Sequence, residues 1–149
     1  MYNPPQLILL PPHAVAYHWK EIKPLLEKAA QHGRGEVPVD EVLEQVLQFK
    51  MCVHVFEDAA GIRFATASRV TREDDGRKFL DVVFAAGIGG VDVLKKWFKE
   101  YEVTAKTMGA SVVRCFCRPA IARYLRRHLP GSTSRQLEFY TVVEKEVTP

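Results

Sequence analysis

Between Phe84 and Tyr101 the chain reads FAAGIGGVDVLKKWFKEY. An apolar run enters a cluster of three glycines, Gly87, Gly89 and Gly90, and a segment with helical spacing leaves it. Val91, Leu94, Trp97 or Phe98, Tyr101, Ala105 and Met108 mark one face of a long helix that Gly109 closes. Ser111 to Cys117 then reads as a further strand. A strand that leaves through a helix must cross the sheet before it pairs again, so these two strands are expected to be parallel.

The rest of the chain predicts antiparallel neighbours. Met51 to Phe56 alternates around His54, and Ile62 to Val70 is the next strand. The polar REDDGR turn carries Asp75-Gly76, a strong hairpin signal. Phe79 to Ala86 is almost wholly apolar, as suits a central strand buried on both faces. Before this meander come a short strand, Leu7 to Leu10, and an amphipathic helix over 14–30 that Pro24 should kink or split. Gln31 to Glu36 reads as a loop, and a second helix starts at Pro38 and ends near Lys50. After the crossover, Pro119 opens a basic helix through His128. Pro130-Gly131 and the Ser/Thr cluster read as a loop, and Leu137 to Glu146 as the last strand. The expected order is β-α-α-β-β-β-α-β-α-β: an α+β fold of α/β/α layers, with a mixed, mostly antiparallel central sheet and helices on both faces.

With 149 residues, 47% apolar and 26% charged, the chain fits a single globular domain over 1–149. No apolar run reaches the roughly 18 residues of a membrane span, and MYNPPQLILLPPH lacks the pattern of a signal peptide. A cytosolic place of synthesis is expected. The net charge of +3 is too small to point to nucleic acid. Four arginines do concentrate between Arg118 and His128, where they could meet an acidic surface. Cys52, Cys115 and Cys117 are odd in number and show no metal-ligand spacing, so they read as structural thiols with no metal expected.

The glycine loop has two readings. A helix N-terminus with exposed amides and close-approaching glycines suits a pyrophosphate. The same glycines equally suit a tight strand-to-helix turn. Asp92 in the first helical turn opposes the phosphate reading, and Lys95 and Lys96 support it.

The element order resembles the GNAT superfamily of N-acetyltransferases. In that superfamily an Arg/Gln-x-x-Gly-x-Gly/Ala loop binds the pyrophosphate of acetyl-coenzyme A. Phe84-Ala85-Ala86-Gly87-Ile88-Gly89 fits the register, with Phe in place of the leading Arg/Gln. The chain resembles most closely the small acetyltransferase-like proteins of tailed bacteriophages. The matching features are Trp19, Val37-Pro38-Val39-Asp40-Glu41-Val42, Gly89-Gly90-Val91-Asp92, Trp97, and Arg118-Pro119 followed by Ala122 to His128.

The resemblance implies that Ala86, Gly87, Ile88, Gly89, Gly90 and Val91 would hold acetyl-coenzyme A if the chain is active. It places the usual acid, a tyrosine, one residue from Tyr124, at Leu125. His54 and Glu57 are the remaining candidates for acid–base work, with Asp81 nearby. The expectation is a catalytically inactive phage protein with no cofactor. Its partners would be other particle proteins or its own copies, and its location the host cytoplasm or the virion. Nucleic acid and membrane are not expected partners. The alternative is an acetyl-coenzyme A-dependent N-acyltransferase acting on an amine.

Overall fold

The computed structural model describes residues 7–30, 37–87, 98–117, 119–128, 131–136 and 141–147. Its elements are β1 (Ile8–Leu10), α1 (Pro12–Tyr17), α2 (Trp19–Ala30), α3 (Val39–Leu47), β2 (Met51–Asp58), β3 (Gly61–Arg72) and β4 (Lys78–Gly87). They are followed by α4 (Phe98–Thr107), β5 (Val112–Cys117), α5 (Pro119–His128), β6 (Thr133–Gln136) and β7 (Thr141–Glu146). Among the described residues the sheet has seven strands in the order β1-β2-β3-β4-β5-β7-β6. Among these described strands, only the β4–β5 pair is parallel. This is the mixed sheet that the crossover after Gly87 demands.

Alternation along the strands divides the buried side chains between two faces. One face carries Phe64, Leu80, Val82, Val113, Cys115 and Val143, and packs against Tyr101 and Ala105 of α4 and Ala122 and Leu125 of α5. The other carries Val53, Val55, Ala65, Ala67 and Phe84, against Val15, Ile22, Leu26, Val42 and Val46 of α1, α2 and α3. Ile22 and Leu26 are fully buried, and each such side chain contributes roughly 1.5–3 kcal/mol. These two layers put a helix pair near the end of the sheet where β4 and β5 leave each other.

Two expectations need correction. The polar 132–136 segment, read as loop, contains a strand, β6, which pairs antiparallel with β7 from Thr133↔Glu144 to Gln136↔Thr141. An outer strand needs only backbone hydrogen bonds on one side, so it can form without an apolar pattern. The first helix does split, but at His18 (φ −95°, ψ 13°) rather than at Pro24, which lies inside α2. The break lets α1 lie against α3 as well as α2. At the end of α3, Phe49 adopts φ 61°, the left-handed conformation usually taken by glycine. The Asp75-Gly76 turn forms as expected, with Gly76 at φ 86° and its N–H donating to the Glu73 carbonyl.

Candidate functional site

The parallel strands stay together for only four pairs, Phe79↔Val112 to Val82↔Cys115. Beyond that point β4 continues to Gly87 beside β3, and β5 continues to Cys117 beside β7. The two strands therefore form a fork that opens at their carboxyl ends, the place where α/β sheets receive ligands. A bulge sits at its base. Ala67 opposes Phe84 and Ser68 opposes Val82, so Val83 has no partner on β3. The extra residue reverses the alternation. Leu80 and Val82 face α4, whereas Phe84 joins the opposite core.

Ala86 and Gly87 form the last rungs of β4, opposite Ala65 and Phe64. The other residues expected to hold a cofactor, Ile88, Gly89, Gly90 and Val91, lie outside the described residues. So do Asp92, Lys95, Lys96 and Trp97.

On the face under α4, a group of neutral polar side chains lies beside the base of the fork. His54 on β2 stands opposite Thr66 on β3. Its Nε2 is 3.0 Å from Thr104 Oγ1 of α4, in a hydrogen bond whose direction follows the imidazole tautomer. Its ring meets that of Tyr101 edge-on at 5.4 Å. Burial lowers the His54 pKa to about 4, so the imidazole is neutral at pH 7. Its Nδ1 is buried with no hydrogen-bond partner among the described residues.

Tyr101 is wholly buried. Burial drives its phenol far above the usual range; neighbouring Thr66 opposes the shift and Cys115 adds to it. Tyr101 thus reaches from β3 to β5 at the last rung before the strands part. Cys52, half-buried at one edge of this group, has its thiol pKa raised by burial and its Sγ 3.7 Å from Met108 Sδ.

The carboxylates are elsewhere. Glu57 is exposed near the end of β2, next to an irregularity in the β2–β3 register. Asp81 lies on the opposite face of β4 from Leu80 and Val82, and is bound by Arg114 of β5. Arg114 Nε donates to Asp81 Oδ1 at 2.7 Å and Nη2 to Oδ2 at 3.0 Å. Thr71 donates to the same carboxylate at 2.9 Å. Burial opposes the charge of Arg114, but Asp81 and Glu73 more than offset it and raise its pKa. Tyr124 lies in α5, where its side chain is outside the described set; its neighbour Leu125 is fully buried against the sheet.

The structure therefore gathers His54, Thr66, Tyr101 and Thr104 on one face, and leaves Glu57 and Asp81 apart from them. Sequence reading gave Tyr101 only a place on an apolar helix face and gave Thr104 and Arg114 no part. Thr104 was detectable in principle, as a polar residue beside Tyr101 and Ala105 on the buried stripe. Among the described residues, no group of three His, Cys, Asp or Glu could hold a metal ion, and no helix is long and apolar enough to cross a membrane.

No protein-family model matches the sequence, and no curated protein matches it. Solved structures do match the fold. A putative acetyltransferase, yncA, from Salmonella typhimurium with its cofactor acetyl-CoA superposes with a TM-score of 0.69 at 14% identity, over 99% of this chain and 96% of that one. An acetyltransferase of the GNAT family from Listeria monocytogenes gives 0.58 at 14% identity, over 94% of each chain. The catalytic domain of the Tetrahymena GCN5 histone acetyltransferase in complex with coenzyme A gives 0.59 at 12%, over 100% and 96%. The chain has the GNAT acetyltransferase fold.

Proposed function

We propose that this chain uses the acetyltransferase fold as a scaffold, without catalysis, in the protein contacts of a bacteriophage particle or its assembly. One observation carries the non-catalytic part: every acid–base candidate whose side chain is described is engaged or remote. His54 is buried under α4 with its Nε2 bonded to Thr104, and a pKa lowered to about 4 makes it a poor proton acceptor. Asp81 is held by Arg114 and Thr71. Glu57 is exposed near the end of β2, two strands from β4. Acyl transfer to an ammonium needs a group that removes its proton, and none of these is free to act in the fork. The phage assignment is supported by the resemblance of Gly89-Gly90-Val91-Asp92 and the Arg118–His128 segment to phage sequences. Mass spectrometry of purified particles of the phage encoding the chain tests the reading. A fixed copy number is expected; absence from every particle would overturn it.

A second reading is favoured by the fork and the Val83 bulge, where the two strands part and Val83 has no β3 partner. Here the chain is an acetyl-coenzyme A-dependent N-acyltransferase acting on an amine. Ala86 to Val91 then bind the pyrophosphate, and Gly89→Glu abolishes that binding while the fold survives. Acetyl-coenzyme A binding unchanged by Gly89→Glu would remove this reading.

A further inference from the structure

Around Arg114 and Phe79 a cavity of about 410 Å³ is open to solvent, so water can satisfy polar atoms that the chain does not. The face under α4 has no such access. Val53 and Val55 of β2 and Ala65 and Ala67 of β3 point into the opposite core. By alternation, Cys52, His54, Thr66 and Ser68 therefore face α4. Cys52 stands opposite Ser68, and His54 opposite Thr66. The four side chains are the corners of one rectangle on the β2–β3 ladder. Its roof is α4, through Thr104 bonded to His54 and Met108 against Cys52.

His54 is 1% exposed, and Thr66 and Ser68 are 0% exposed. Three polar atoms of the rectangle, His54 Nδ1, Thr66 Oγ1 and Ser68 Oγ, have no hydrogen-bond partner among the described residues. A buried polar atom left unbonded carries its full desolvation cost, and three in one place is a concentration that native interiors avoid. Cβ atoms on opposed positions of a ladder are about 4.5–5.5 Å apart. A water molecule bonding at about 2.8 Å on each side spans a gap of that kind. Three of the four corners carry small side chains, Cys52, Thr66 and Ser68, which leaves volume between the strands and the helix. No charge faces it at pH 7, because burial lowers the His54 pKa to about 4 and raises the Cys52 thiol and the Tyr101 phenol. The complement of such a site is a small neutral molecule that both donates and accepts. His54 Nδ1 accepts where Nε2 donates to Thr104 and donates where Nε2 accepts, and a hydroxyl does either.

We propose that His54 Nδ1, Thr66 Oγ1 and Ser68 Oγ bind an internal water molecule, enclosed between β2, β3 and α4 and cut off from bulk solvent. The water completes the hydrogen bonding of the imidazole and ties the two strands together beneath the helix. The proposal involves neither the fork nor coenzyme A, so its failure leaves the reading of the fork intact.

A high-resolution crystal structure of the wild-type chain tests it. The expected result is a water within about 2.7–3.2 Å of at least two of the three atoms. A structure with no density there would overturn the proposal. Stability gives an independent test, because a dry site and a hydrated one respond with opposite signs. In a dry site, Thr66→Val and Ser68→Ala remove a polar group that nothing satisfies, and the melting temperature rises. In a hydrated site each substitution takes a bond from the water, and the melting temperature falls by about 2–4 °C. The double variant should fall by less than the sum of the two, since both single variants weaken the same water. Native circular dichroism is the control for each variant. A rise in melting temperature in either single variant, or losses that add in full, would also overturn the proposal.

Discussion

The two faces of β4 bury polar groups in opposite ways. Beside the fork, under α4, His54, Thr66, Tyr101 and Thr104 form a neutral group closed off by a helix. Behind Asp81, the same strand carries a charged pair with Arg114 at the floor of an open, water-accessible cavity. A helix excludes water, and charge without water is costly unless paired, so the covered face holds hydroxyls and a neutral imidazole. The open face lets Glu73 and solvent share the charge of Arg114. The difference bears on function: the described group beside the fork carries no charge at neutral pH, and the charged pair is aimed away from it.

Breaking the ionic pair should give the largest effect. Asp81→Ala leaves a mostly buried guanidinium without its bidentate partner and should lower unfolding stability by about 3–5 kcal/mol in urea titration. Replacing both partners by leucine should cost much less than that, because no uncompensated charge remains. Equal losses in the single and double variants would show that packing, not charge, holds this region.

The neutral group should respond to pH rather than to salt. The folded pKa of His54, about 4, lies below the unfolded value of about 6.5. The unfolded chain therefore binds the extra proton first. The contribution is complete above pH 6.5 and is lost as pH falls toward 4, to a total of about 3 kcal/mol. His54→Gln should remove that part of the pH dependence in thermal melts between pH 4 and 7. A wild-type melting temperature that follows the same curve as His54→Gln would mean that His54 is already charged or solvated in the folded state.

Much of the fold was legible in the sequence, for local reasons. The apolar run ending at Gly87, the Asp75-Gly76 turn and the Gly109 stop each declare their geometry within a few residues. β6 was not legible, because Thr133-Ser134-Arg135-Gln136 has no apolar alternation and becomes a strand only through pairing with β7. The break at His18 was expected at Pro24, since local propensity does not report the packing of α1 on α3. The candidate site was less legible than the fold. His54 could be singled out as the only histidine of the middle strands, but its partners come from α4, fifty residues away. Arg114 and Asp81 meet only through the parallel register of β4 and β5, which a single sequence does not print. The Val83 bulge is likewise a property of the ladder and not of the apolar run that contains it.

The central claim is that none of the described residues is a working proton acceptor in the fork. It is tested most directly by free-thiol release from acetyl-coenzyme A in the presence of a panel of amines between pH 7 and 9. The account predicts release no faster than in the absence of protein, at every amine and pH. Release that saturates with acetyl-coenzyme A, depends on an amine and disappears in Gly89→Glu would contradict it and establish the acyltransferase reading.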